Sequence, residues 1–251
     1  MKKNPNTKNF VSGMENLIPS VNDTPYNRVI AIGDLHGMYE RLISLWEKLN
    51  VTDRDKIVFL GDYIDRGEEV ADVLQWVIKQ SKKKNFIFLR GNHEQYLIDL
   101  FQSRIDKIAW LFNGGYSTIR GLSKLKSEDA TFINKVLNFV ENLPLYHSMT
   151  IDGREFVFVH GGIDSRLPLN KQKADFMLWA REEFFNHYAG EAIVISGHSP
   201  VQAFPEFGVA DDPRPIKLSG KNILLTDTGS FIRDGKISAV DILSGRYWSS
   251  D

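Results

Sequence analysis

Val58-Phe59-Leu60-Gly61-Asp62-Tyr63-Ile64-Asp65-Arg66-Gly67 decides how the chain reads. Its apolar start is bulky, β-favouring and too short for a helix, so it reads as a buried strand. Gly61 and Gly67 permit a tight turn past the strand end. Two carboxylates and a guanidinium are left displayed there, as a divalent cation and a phosphate would require. Four further junctions share this grammar: Val29–Ile32 into Gly33-Asp34-Leu35-His36-Gly37, Phe86–Leu89 into Arg90-Gly91-Asn92-His93-Glu94, Phe156–Val159 into His160-Gly161-Gly162, and Ile193–Ile195 into Ser196-Gly197-His198-Ser199-Pro200. One such junction is ordinary turn chemistry. Five amount to a site.

The sequence between these junctions predicts an α/β fold. Leu42, Leu45, Trp46 and Leu49 mark one face of a helix over 38–49, and Val70, Val73, Leu74, Val77 and Ile78 mark another over 68–79. The first third is therefore β-α-β-α-β, which implies parallel strands with ligands at their carboxyl ends. Residues 95–143 read as largely helical, broken at Asn113-Gly114-Gly115, with Ser127 a candidate N-cap. Strands are expected near 155–159, 192–195, 223–226 and 237–243, the last two separated by Asp227-Thr228-Gly229 and Asp234-Gly235 as hairpin-type punctuation. Residues 1–27, with three prolines and no periodicity, read as a loosely held extension before one domain over 28–251.

Bulk properties narrow the function. The 251 residues suffice for a substantial core, and 31 basic against 32 acidic residues give no global pull toward nucleic acid or anionic membrane. There is no cysteine, which excludes thiolate ligands, a cysteine nucleophile and disulfides. No apolar run approaches the ~20 residues of a membrane span. Met1-Lys2-Lys3 is followed by polar residues and not by a signal-peptide core, so a cytoplasmic location is expected.

Asp34, His36, Asp62, Asn92, His160 and His198 form a donor set of imidazole, carboxylate and amide oxygen. It suits two divalent ions, Mn first and Fe or Zn next, better than Ca or Mg. Asp62, central in chain order, could bridge ions ~4 Å apart, and such a pair activates water for in-line attack on phosphorus.

Gly33-Asp34-x-His36-Gly37, Gly61-Asp62-x-x-Asp65-Arg66-Gly67 and Gly91-Asn92-His93-Glu94 resemble the three signature motifs of the phosphoprotein phosphatase family of binuclear metallophosphoesterases. His160-Gly161-Gly162 and Gly197-His198 are similar to its later metal histidines. The resemblance spans about residues 28–248 and implies a calcineurin-like fold, a central β-sandwich flanked by helices. It implies one ion on Asp34, His36 and Asp62, a second on Asp62, Asn92, His160 and His198, and a metal-bridging hydroxide as nucleophile. It further implies His93 as general acid oriented by Asp65, with Arg66, Arg181, Asn92 and Asn113 contacting the phosphate side of the substrate. The fifth motif, Ser196 to Pro200, resembles bacterial and bacteriophage members and lacks the arginine of eukaryotic catalytic subunits.

Other features have plainer readings. Asp53-Arg54-Asp55 imitates an aspartyl-phosphate motif but precedes its strand, so a solvated turn is expected. His147 and His187 read as surface or structural, and Arg90 as structural. A phosphoserine/phosphothreonine protein phosphatase is the expected function. Alternatives are a symmetrical bis(5'-nucleosyl)-tetraphosphatase, whose phosphorylated nucleotide substrate needs the same core, and a catalytically silent metal-binding interaction module. Segments 113–121, 166–175 and 203–218 should separate the substrates. A nucleotide enzyme would use there stacking aromatics such as Tyr116, Phe204 and Phe207, and cations such as Arg120, Arg166 and Arg214.

Overall fold

The computed structural model describes residues 9–105 and 107–251. Strands β1 (Arg28–Ile32), β2 (Asp55–Phe59) and β3 (Phe86–Phe88) pair in parallel, with helices α1 (Tyr39–Leu49) and α2 (Val70–Gln80) as crossovers. Strands β9 (Ser238–Asp241) and β10 (Arg246–Ser249) extend this sheet antiparallel, in the order β10-β9-β1-β2-β3. The second sheet is ordered β4-β5-β6-β8-β7. It is built from β4 (Tyr146–Ile151), β5 (Arg154–Val159), β6 (Ile193–Ser196), β7 (Ile216–Lys217) and β8 (Ile223–Leu225). Its centre, β5-β6-β8, is parallel and its edges β4 and β7 are antiparallel.

The period of two along each strand makes this a sandwich. Val29 and Ala31 of β1, Val58 of β2, Phe156 and Phe158 of β5, Ile193 and Ile195 of β6 and Leu224 of β8 share one core between the sheets. Their neighbours in sequence face outward. Ile30, Ile32, Ile57 and Phe59 pack under α1, α2, α3 (Asn92–Phe101), α5 (Tyr116–Glu128) and α6 (Phe132–Glu141). Val157, Val159, Val194, Ile223 and Leu225 pack under α7 (Ala174–Trp179) and α8 (Glu182–His187). A strand covered on both faces must be apolar at every position, which is why these runs do not alternate with polar residues.

Four local expectations are corrected. Ser127 is not an N-cap: it lies in the last turn of α5, its hydroxyl donating to the Lys124 carbonyl, and Thr131 precedes α6. Asp227-Thr228-Gly229 is not a hairpin turn, because β8 and β9 lie in different sheets and the chain crosses between them. Asp55 is not solvated; it is buried at the start of β2, bonded through both oxygens to the Arg28 guanidinium. Within the segment expected to be loosely held, residues 1–8 lie outside the described residues, while Val11, Met14 and Leu17 are buried in the core between the sheets. Phe10 also bridges Arg246 at the edge of β10. The apolar spacing of three residues anchors this stretch where its prolines had suggested none.

The Asn113-Gly114-Gly115 break is a π-helical turn over Leu111–Gly115, between the short α4 (Lys107–Trp110) and α5. Gly114 carries a left-handed φ of 99°, and a β-carbon there would press on Arg66. Among the described residues no helix is long and apolar enough to cross a membrane.

Candidate metal centre

All five junctions converge at the carboxyl ends of β1, β2, β3, β5 and β6, where parallel strands open a crevice. The turns that follow are tightly wound. His36, Asp62, Asp65, Arg66 and His198 all have positive φ, between 43° and 71°. Non-glycine residues enter this region at a cost of ~1–3 kcal/mol each, and they gather where a site over-determines them. The glycines bring the loops together: a β-carbon on Gly91 would overlap the Asp62 carboxylate, and one on Gly197 would sit 2.5 Å from Asp34 Oδ1.

Asp62 is the hub. Its Oδ2 lies 3.4 Å from His36 Nε2 and 3.8 Å from His93 Nε2, and its Oδ1 lies 3.4 Å from His160 Nε2. His36, Asp62 and His93 offer ligand atoms within 4.8 Å of one another, as do Asp62, His160 and His198. Asp34 Oδ2 stands 3.8 Å from His36 Nε2, and Asn92 Oδ1 stands 2.8 Å from His160 Nε2. The Nδ1 atoms of His36 and His160 each bond a backbone carbonyl, of Ile64 and Leu60, at 2.9 Å. That contact turns each Nε2 inward, the arrangement that orients metal-binding imidazoles.

A divalent ion fits these residues on an independent ground. Asp34 Oδ2 and His198 Nε2 are buried with no hydrogen-bond partner, although both are strong ligand atoms. Buried polar atoms are otherwise nearly always satisfied. Electrostatics agree. Burial, then the neighbouring Asp227, pushes the Asp34 carboxyl well above its usual range. Burial also acts to raise Asp62, but the adjacent imidazoles, His160 foremost, outweigh it and hold that carboxyl well below the usual range. Burial depresses His36 and His198 strongly; for His160 burial is opposed by Asp62, whose charge lifts the imidazole to about 9. Imidazoles and carboxylates crowded in one dry space are what cations relieve.

His93 lies beside the cluster and is held differently. Its Nδ1 is 2.7 Å from Asp65 Oδ2, which also accepts the Trp110 indole N–H at 2.8 Å; the Thr118 hydroxyl donates to the other Asp65 oxygen. Arg66 Nη2 is 3.2 Å from His93 Nε2, and the Arg66 guanidinium stacks 4.0 Å from the centre of the Phe231 ring. Arg181 donates to the His198 carbonyl at 2.8 Å and to Ser199 Oγ at 3.0 Å, which brings it to the crevice from the other sheet. Asn113 stands apart from this set. Its amide donates to the Ala109 carbonyl one turn back, and the segment reaches the site through the Gly114 carbonyl, which accepts the Arg66 N–H.

Two residues in the site carried no role in the sequence reading. Glu94 is fully buried and its carboxylate accepts the N–H groups of Asp62, Tyr63 and Gly91, tying the second and third motifs together; burial and then Asp62 push it up to about 7. Asp227 follows the apolar run of β8 and is 1 % exposed beside the first motif. The run 223–226 leading into Asp227-Thr228-Gly229 is a sixth junction of the same grammar, and that was its available signal.

Residues 27–240 match the family model described as calcineurin-like phosphoesterase, and the protein belongs to that family. It is 27 % identical over 214 residues to serine/threonine-protein phosphatase 2 of Salmonella typhimurium, covering 84 % of this chain and 91 % of that one. It is also 27 % identical over 196 residues to the asymmetrical bis(5'-nucleosyl)-tetraphosphatase PrpE of Anoxybacillus flavithermus, covering 68 % and 78 %. Among solved structures, a putative diadenosine tetraphosphatase superposes with a TM-score of 0.62 at 18 % identity, over 92 % of this chain and 96 % of the other. A Saccharomyces cerevisiae serine/threonine phosphatase similar to human PP5 gives 0.55 at 17 %, over 88 % and 74 %. These two likenesses establish the fold, a sandwich flanked by helices as the motifs had implied.

Proposed function

We propose that the protein is a serine/threonine protein phosphatase that hydrolyses phosphomonoesters directly with two divalent ions, Mn being the best match to the donor set. Asp34, His36 and Asp62 would hold one ion, and Asp62, Asn92, His160 and His198 the other. When bound, such a pair supplies Lewis acidity at phosphorus and lowers the pKa of water. The remaining groups serve the substrate. Arg66 and Arg181 approach the crevice from opposite sheets and grip the phosphate oxygens, where fixed guanidiniums act most strongly.

His93 is the proton donor to the leaving oxygen. Nδ1 faces the Asp65 carboxylate, which can only accept, and Nε2 faces an Arg66 N–H, which can only donate. The ring is therefore held as the Nδ1–H tautomer with Nε2 free for a second proton once Arg66 turns to the phosphate. Asp65 stabilises the imidazolium so formed, and an alkoxide leaving group requires that proton. This arrangement of His93 between Asp65 and Arg66 is the observation that carries the hydrolytic reading.

The substrate reading rests on the surrounding segments. Three arginines that a chain of phosphates could use are already paired: Arg120 with Glu68, Arg166 with Asp164 and Arg214 with Asp212. Phe204 meets Phe185 edge-on and Phe207 at a tilt, and both are half-buried against the core beneath the second sheet, which leaves the exposed Tyr116 as the freest of the candidate stacking aromatics. The match to most of the length of a bacterial serine/threonine phosphatase supports the same reading. A second reading, hydrolysis of dinucleoside tetraphosphates, is favoured by relatives of that name, whose designation is asymmetrical where the alternative weighed from the sequence is the symmetrical type. Parallel assays on a phosphoserine/phosphothreonine peptide panel and on diadenosine tetraphosphate, with equal Mn, separate them. Higher kcat/KM on peptides is expected. A hundredfold advantage for the dinucleotide would reverse the assignment, and ATP plus AMP as products would make it the asymmetrical reaction.

A further inference from the structure

Asp227 is a buried carboxylate that the fold does not account for. Its Oδ1 accepts the Gly229 N–H at 2.8 Å and closes the turn after β8. Asparagine would do that equally well. Its Oδ2 is buried and has no partner. No lysine or arginine forms an ion pair with Asp227 among the described residues, yet an uncompensated buried carboxylate is expensive. Something other than these contacts must justify a charge at this position.

Its location says what. A β-carbon on Gly33 would lie 2.6 Å from the Thr226 carbonyl oxygen and 3.3 Å from the Asp227 amide nitrogen, so the turn carrying Asp227 lies directly against the turn carrying Asp34. The Asp227 carbonyl also accepts the Val201 N–H, which ties the same turn to the segment after His198. Asp34 Oδ2 and Asp227 Oδ2 are thus two unpartnered carboxylate oxygens on abutting turns. Asp227, like Asp34, lies outside both groups of mutually close ligand atoms, and unlike Asp34 it has no metal-candidate imidazole in ion-pair range among the described residues, which favours reach to an ion through a water.

We propose that Asp227 is a positioning residue for the ion beside Asp34, its free oxygen accepting a hydrogen bond from a water that enters with that ion. This rests on the two-ion reading above. With Asp34 and Asp62 it brings three carboxylates against two divalent charges, while Asp65 is committed to His93. Asp34 Oδ1 accepts the His198 N–H at 3.1 Å, which leaves its Oδ2 for the ion.

The test is metal binding and thermal stability of the full chain carrying Asp227→Asn, which keeps the size of the side chain and the acceptor for Gly229. Mn affinity, by calorimetric titration of the chelator-stripped protein, should fall by ~10–100-fold at one of two sites, the usual effect of losing an outer-shell partner. The Tm of the stripped protein should hold or rise, since a repulsive buried charge is removed, and the upward shift on adding Mn should shrink. Asp227→Ala, which also loses the turn contact, should lower the Tm of the stripped protein. Wild-type uptake of two ions with an unchanged affinity in Asp227→Asn would overturn this inference alone. A fall in Tm in stripped Asp227→Asn equal to that of Asp227→Ala would also overturn it, by making the role structural. No uptake by the wild type would overturn the two-ion reading and this inference together.

Discussion

Asp65 holds His93 through a single oxygen, Oδ2, which sits 2.7 Å from His93 Nδ1 and also accepts the Trp110 indole N–H at 2.8 Å. The carboxylate is wholly buried, and its backbone N–H bonds Thr118 Oγ1, so ring and acid cannot turn independently. Arg66 is adjacent to Asp65 in sequence and places its Nη2 3.2 Å from His93 Nε2, so the turn after β2 meets the start of α3 where the proton donor and the phosphate grip are proposed.

His93→Asn should therefore slow hydrolysis of alkyl phosphoesters by ~10²–10⁴ while the protein still takes up two ions. Aryl phosphates with activated phenol leaving groups, which depart without a proton, should lose much less. Steady-state rates on a phosphoserine peptide and on 4-nitrophenyl phosphate provide the comparison; equal losses on both would remove His93 from the acid role.

Arg28 and Asp55 form a pair at the base of β1 and β2, far from the crevice, with Asp55 also accepting from the Thr52 N–H and hydroxyl. Burial acts to raise the Asp55 carboxyl, but the bonds from Arg28 and Thr52 outweigh it and hold its pKa below the usual value. Its contribution to stability is then fully present above the unfolded value of ~3.9 and is lost as pH falls through the lower folded value. Asp55→Ala should cost about 3 kcal/mol at neutral pH, since it strands buried donors. Urea unfolding from pH 2 to 7 should show the gap from wild type constant above about pH 4 and narrowing below it. A gap that widens in acid would reverse the assigned direction.

Met14 lies 2 % exposed in the core between the sheets, with Val11 and Leu17. Met14→Ala should destabilise by about 2–5 kcal/mol. A change near zero in chemical denaturation would restore the reading of this stretch as a loose extension.

The strand-end junctions were legible because a chemical requirement repeated: each apolar run had to be buried on both faces and had to end in a turn bearing a polar side chain. That repetition picks out Asp34, His36, Asp62, Asn92, His160 and His198 from the sequence alone, and the structure brings their loops to one crevice. The edge strands β4 and β7 were not legible. Tyr146–Ile151 alternates weakly, and Ile216–Lys217 is two residues long, so neither carries a period. Asp227 was hidden by its company, since Asp-Thr-Gly suits a hairpin as well as a crossing between sheets. Ser127 was misread because Ser-Glu-Asp looks like a helix start, whereas the preceding helix runs on through Glu128. Trp110 and Thr118, which hold Asp65, lie 45 and 53 positions away in sequence, and no local pattern ties them to it.

The most direct test is hydrolysis of an aryl phosphate by chelator-stripped protein as Mn is returned, with bound metal counted on the same samples. The account expects no turnover without metal and activity rising to a plateau at two ions per chain. Undiminished turnover in the stripped protein, or two bound ions with no hydrolysis as a silent metal-binding module would show, would contradict it.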